Sequence, residues 1–216
     1  MIAWSLDAFR GCESVATVVV AVPPGMADEA SSLFPDVRQV GPGDGSTIVV
    51  EGGAMRAQSV SSALTLVETD LVAIHDAARP LTTPELIEAI VAKLVAAPEA
   101  DGAIAATPVT DTVKQVSAPR SASTINNAVN APLGIEASLD RSRLWAAQTP
   151  QVFRTAALRE ALEVDEATRD AATDEAMLVE AAGGTVLLHP VDVPNLKVTT
   201  PDDLRVAELL LGSRES

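Results

Sequence analysis

The heptapeptide Ile74-His75-Asp76-Ala77-Ala78-Arg79-Pro80 sets an acid and a base close together. It follows the apolar run Leu71-Val72-Ala73-Ile74, which reads as a short buried strand. It precedes Thr82-Thr83-Pro84-Glu85, which reads as a helix start with Pro in the first turn. Asp76 and Arg79 therefore fall just past the carboxyl end of a strand, where open α/β sheets bind ligands. A short acid there can hold Mg²⁺ beside a phosphate, and an Arg can fork onto phosphate oxygens. The two side chains could equally pair with each other in a plain loop, and the heptapeptide alone does not choose.

Other ligand-capable residues recur at expected strand ends: Gly52-Gly53 with Ser59 beyond, Thr110-Asp111-Thr112, Arg141, Thr149, Thr173-Asp174-Glu175 and Lys197. Glycines after a strand let a ligand approach the backbone, and an adjacent helix N-terminus adds amide donors for an anion. As a set they suit a phosphorylated ligand with a divalent ion. Singly, a Gly-Gly is a turn and a strand-end Thr is a cap. His75 and His189 are the only histidines, and neither has a metal-ligand partner at helical spacing. The chain has no G-x-S-x-G elbow and no Walker A loop, so neither a histidine-based triad nor a zinc site is supported.

Composition narrows the partners. The 216 residues suit one domain, 1–216, with a sizeable core, 47% of them apolar but only 2% aromatic, so aliphatic packing must carry the interior. A formal charge of −15 disfavours nonspecific binding to nucleic acid or anionic membrane. An anionic ligand then needs a local cluster of cations, and the lysines are only Lys93, Lys114 and Lys197. No run reaches the roughly 20 apolar residues of a membrane span. No basic segment precedes an apolar core at the N-terminus, and Cys12 is the lone cysteine; both fit a cytoplasmic protein.

These residues must be positioned by an alternation of strands and helices. The pattern predicts helix 4–10, strand 15–22, helix 26–34, strand 46–50, helix 56–67, strand 72–74, helix 86–97 and strand 102–109. Helices 155–164 and 174–182, strand 185–191 and helix 201–211 complete it, the last with Thr200 as cap and acids in its first turn. Such alternation argues for an α/β fold with a mostly parallel sheet covered by helices on both faces. Residues 117–140 break the pattern; they are rich in Ser, Asn, Ala and Pro without helical period. They read as an extended, hairpin-like arm, within about 111–147, and the simplest partner for an arm that leaves its own core is a second copy of the chain.

Six stretches, in order, carry a resemblance: Gly52 to Val60, His75 to Pro80, Pro108 to Lys114, Leu144 to Gln151, Thr173 to Ala176 and Asn195 to Thr199. The chain resembles the 2-C-methyl-D-erythritol 4-phosphate cytidylyltransferases of the non-mevalonate isoprenoid pathway. Ribitol-5-phosphate cytidylyltransferases share much of the pattern. The resemblance implies a Rossmann-like, three-layer nucleotidyltransferase fold in which a sugar-alcohol phosphate attacks the α-phosphorus of CTP and pyrophosphate leaves. It implies Asp76 at the nucleotide and Mg²⁺, and Gly52, Gly53 and Ser59 around the cytidine. It implies Lys197 at the α-phosphate, with Asp76 and Lys197 as the catalytic pair. Arg141, Thr149 and Thr173, with Lys197, would hold the acceptor phosphate, and Arg79 and Thr112 would reach it from the partner of a homodimer. Ala54 stands where the family often has Asp, which questions base recognition by that side chain.

The family also begins with a strand, a Gly-rich loop with a basic residue and a Pro-Lys pair, whereas Met1 aligns with the helix that follows. The expectation is that the sheet has a gap between apolar neighbours and that the chain turns over CTP weakly or not at all. A non-catalytic dimeric binding protein that keeps only the acceptor-phosphate side is the other reading.

Overall fold

The computed structural model describes residues 1–33, 47–116 and 134–214. Through the first described half run α1 (Ile2–Arg10), β1 (Val18–Val22), α2 (Ala27–Leu33), β2 (Thr47–Glu51), α3 (Arg56–Leu64), β3 (Leu71–Ile74), α4 (Pro84–Val95) and β4 (Gly102–Pro108). Then come β5 (Lys114–Val116), β6 (Ile135–Ser138), β7 (Trp145–Arg154), α5 (Thr155–Ala161), α6 (Glu166–Ala171), α7 (Glu175–Ala181), β8 (Val186–Pro190) and α8 (Pro201–Gly212). The expected α/β alternation is present. The predicted ends Phe34 and Ser46 and the arm interior 117–133 lie outside the described residues.

The start signals act as read. Thr83 accepts a hydrogen bond from the Leu86 amide at the head of α4, with Pro84 in its first turn. Thr200 and Asp203 form a reciprocal capping box at the head of α8.

Sheet order and direction depart from a mostly parallel reading. β1 and β2 pair in parallel, while β3, β7, β4 and β8 form a second ladder in that order. Within it β8 runs parallel to β4, but β7 runs antiparallel to both β3 and β4. The sequence reading gives residues 145–154 no strand: Pro150 and the Ala pair hide it, and it is buried on both faces near its end, so it shows no alternation. The register of β7 against β4 breaks between Ile104 and Ala106, leaving residues 148–150 as a bulge. The short polar helix α6 carries no apolar period either; Asp165 caps it by accepting from Thr168.

Helices cover both faces of the second ladder, and the core separates by strand period. Val72, Ile104 and Phe153 face α3, α5 and α7 through Val60, Leu158 and Leu178. The alternate residues Ala103, Ala105 and Val152 face α4 through Leu86, Ile90 and Leu94. Gly102 is required where Phe153 crosses: a Cβ there would lie 2.5 Å from the ring.

Between β1 and β3 lies the expected gap. A cleft of about 990 Å³ separates the two ladders, with Leu6 and Phe9 of α1 on one side and Val60 and Leu64 of α3 on the other. The arm's root forms the two-stranded antiparallel ladder β5–β6, whose residues are largely exposed.

Candidate active site

Asp76 sits just past the carboxyl end of β3, and Arg56 opens α3 just past the end of β2. The head of α3 and the loop after β3 meet there. Arg56 donates through Nε and Nη2 to Asp76 Oδ1, each at 3.3 Å, and its Nη1 pairs closely with Glu175 Oε1 at the head of α7. Lys197 Nζ reaches Asp76 Oδ2 at 2.8 Å. The segment carrying Lys197 is tied to the same loop, since the Val198 amide donates to the Ala78 carbonyl at 2.8 Å. Both Asp76 oxygens therefore face cations, and Arg56, Asp76 and Lys197 line the polar end of the cleft.

Charge balance follows from this geometry. Burial works against the Asp76 carboxylate, but Lys197 and Arg56 outweigh it and hold its pKa below the usual carboxylate range. Burial raises the pKa of Glu175, which is 1% exposed, although Arg56 opposes the rise. Burial also opposes the Arg56 charge, yet its bonds to Glu175 and Asp76 leave its pKa raised. Two carboxylates and two cations thus share one partly buried centre.

A relay behind Asp76 fixes its backbone. The Asp76 amide donates to Thr149 Oγ1 at 3.0 Å, and Thr149 Oγ1 lies 3.1 Å from His75 Nδ1. His75 Nε2 lies 3.2 Å from the Arg79 carbonyl. A carbonyl can only accept, so Nε2 donates to Arg79, and with the ring neutral Nδ1 accepts from the Thr149 hydroxyl. Burial against Phe9, with ring centroids 5.3 Å apart, favours that neutral ring and pushes the His75 pKa down to about 4. The bulge at 148–150 delivers Thr149 to this relay. Asn195, 3% exposed, donates to Gln148 Oε1 and to the Thr149 carbonyl, both at 2.9 Å.

The predicted residues distribute as follows. Asp76 and Lys197 are in direct contact. Arg79 does not pair with Asp76; its Nη1 donates to the Asn195 carbonyl at 2.7 Å, which removes the plain Asp–Arg pair. Thr149 is buried with its hydroxyl engaged in the relay. Gly52 and Gly53 give close approach to their own helix: a Cβ on Gly52 would lie 2.5 Å from Ser59 Oγ, and the Gly53 amide donates to that oxygen at 3.1 Å. Ala54 has its amide bonded to Gln58 Oε1 at 3.0 Å. Thr112, Thr173 and Arg141 are exposed, and Arg141 Nη1 donates to the Thr110 carbonyl at 2.6 Å. Among the described residues no hydrogen bond or ion pair links these three to the Asp76 centre.

Arg56, Glu175, His75 and Asn195 are assigned no role of their own in the sequence reading, where Glu175 enters only within the ligand-capable stretch Thr173-Asp174-Glu175. The first two come together from residues far apart in the chain, and only the motifs around them gave a signal.

The sequence signature of IspD, 2-C-methyl-D-erythritol 4-phosphate cytidylyltransferase, matches residues 1–213. The chain belongs to the IspD family. It is 39% identical over 216 residues to the 2-C-methyl-D-erythritol 4-phosphate cytidylyltransferase of Acidobacterium capsulatum, covering 98% of this chain and 83% of that one. It is 43% identical to the bifunctional enzyme IspD/IspF of Anaeromyxobacter sp. over 94% of this chain and 48% of that protein, so it spans about half the length of that relative. The crystal structure of the Thermus thermophilus cytidylyltransferase superposes with a TM-score of 0.70 at 32% identity, covering 97% of this chain and 88% of that one. The α/β nucleotidyltransferase architecture and membership of a transferase family are thereby established.

Proposed function

We infer that this IspD-family chain transfers a cytidylyl group from CTP to 2-C-methyl-D-erythritol 4-phosphate. An oxygen of the acceptor phosphate attacks the α-phosphorus, the bond from that phosphorus to the β-phosphate bridging oxygen breaks, and pyrophosphate leaves with the electron pair. Little covalent chemistry falls to the protein; positioning and charge stabilisation carry the rate. The observation that supports this reading most is the ionised Asp76, just past the end of β3, between Arg56 and Lys197. Lys197 is the cation that takes up charge at the α-phosphate, and Arg56 is fixed beside it.

The donor set suits Mg²⁺. Among the described residues no three His, Cys, Asp or Glu side chains converge on one point to cage a metal. One ionised carboxylate, Asp76, sharing the ion with nucleotide phosphates and water is the arrangement Mg²⁺ favours. Bound there, Mg²⁺ would neutralise phosphate charge. Arg141, Thr149, Thr173, Arg79 and Thr112 remain the acceptor-side residues of this proposal, with Thr149 acting from behind through Asp76.

Pyrophosphate release tests the reading. CTP with 2-C-methyl-D-erythritol 4-phosphate is expected to release pyrophosphate in excess of CTP with ribitol 5-phosphate. Asp76→Asn is expected to lower kcat by about 10²-fold, the scale of a lost transition-state electrostatic group. Equal or greater use of ribitol 5-phosphate would overturn the acceptor assignment, and no release with either would favour a non-catalytic binding protein.

A further inference from the structure

Both oxygens of Asp76 are already engaged by cations. Oδ1 accepts both Arg56 bonds and Oδ2 accepts Lys197. Lys197 in turn spends its charge on Asp76. A carboxylate that must coordinate a cation and an ammonium that must meet a phosphate are thus paired with one another. We propose that Asp76 and Lys197 mask each other in the protein by itself, so that divalent cation and nucleotide bind synergistically, each releasing the partner the other needs. The inference rests on the reaction proposed above and adds the order of events to it.

The two cations on Asp76 are not equivalent. Arg56 is clamped from behind by Glu175, a carboxylate with 1% of its side chain exposed. Withdrawing Arg56 would leave that carboxylate buried and unpaired, which is strongly unfavourable. Lys197 has 46% of its side chain exposed, and Asp76 is the only acceptor its Nζ meets among the described residues. Its backbone is held, since Val198 is bonded to Ala78, so only the flexible side chain has to swing. A solvent-exposed lysine pair contributes little and is easily exchanged. Lys197 is therefore the cation that leaves and Arg56 the one that stays, keeping the carboxylate in place through Oδ1.

The exchange conserves charge. With a metal–triphosphate complex, Asp76 would hold the cation and Lys197 the phosphate, replacing one ion pair by two. A metal ion alone would have to displace Lys197 and leave it beside a new positive charge. Nucleotide alone would have to draw Lys197 away and leave Asp76 facing phosphate. Both single steps are opposed and the joint step is not. By linkage, whatever factor the nucleotide adds to metal affinity the metal adds to nucleotide affinity.

The prediction is that one substitution helps one ligand by removing the mask for the other. Mn²⁺ binding by electron paramagnetic resonance, without nucleotide, is expected to tighten by about tenfold or more in Lys197→Ala and in Lys197→Met, within the usual range of coupling between sites. The gain is expected to vanish in the Asp76→Asn, Lys197→Ala double variant. CTP binding in excess EDTA is expected to tighten severalfold in Asp76→Asn, which frees Lys197. Unchanged or weaker Mn²⁺ binding in both Lys197 variants, a gain that survives Asp76→Asn, or unchanged or weaker metal-free CTP binding in Asp76→Asn would each overturn the masking. These measurements involve no turnover. Absent pyrophosphate release alongside a Mn²⁺ gain would sink the reaction and keep the masking; the converse result would do the opposite.

Discussion

At the scale of single residues, His75 shows how a side chain without a reacting partner can still govern a site. Its ring must be neutral to accept from Thr149, and Thr149 holds the amide of Asp76. The folded-state pKa is depressed, from 6.5 to about 4, so between those values the unfolded chain binds a proton that the folded one refuses. Stability therefore falls as pH falls through that window. Asp76 acts at lower pH, because its pKa lies below 3.8, and Glu175 works with opposite sign because its pKa is raised. The difference between the protein and His75→Gln isolates the ring: the variant is expected to lose less in melting temperature from pH 6.5 to 4. Parallel melting profiles for the two would remove the neutral-ring requirement. The masking of Asp76 by Lys197 belongs to the same scale, because it turns on one exposed ammonium and one clamped guanidinium.

At the scale of elements, the site depends on where strands end and where one of them breaks. The head of α3 and the loop after β3 bring Arg56 and Asp76 together, and the interrupted register of β7 sends Thr149 behind Asp76. β7 itself is held against β4 by the contact of Phe153 with Gly102. Gly102→Ala is expected to cost about 1–3 kcal/mol, the usual range for overpacking a core, read as a lower urea midpoint. A midpoint equal to that of the unsubstituted protein would show that β7 can shift without loss.

At the scale of the whole molecule, the arm is the feature with most bearing on assembly. Val116, Ile135, Leu139 and Trp145 are exposed apolar side chains at its root, with Ile135 64% exposed. We propose that they are covered by a second copy, as an embracing arm would require. Size-exclusion chromatography with light scattering is expected to give twice the chain mass, and Ile135→Asp to return the monomer mass. A monomer before substitution would remove the shared-site role given to Arg79 and Thr112. Among the described residues no helix is long and apolar enough to cross a membrane.

Much of this molecule is written locally. Val18 to Val22, Leu71 to Ile74 and Gly102 to Pro108 announce themselves as strands by short apolar runs, and Thr83-Pro84 and Thr200 announce helix starts, because propensity and capping act over a few residues. Asp76, Lys197 and the ordered motifs sufficed to place the chain in its family. The antiparallel course of β7 was not legible, since Pro150 and burial on both faces erase its period. Nor was the pairing of Arg56 with Glu175, 119 residues apart, because no local rule links a strand-end arginine to a helix-head glutamate. The sequence by itself determined which side chains could do chemistry. Only the tertiary structure decided that Asp76 meets Arg56 and Lys197 rather than Arg79, because strand order and the bulge in β7, not spacing along the chain, set which charges share a low-dielectric centre.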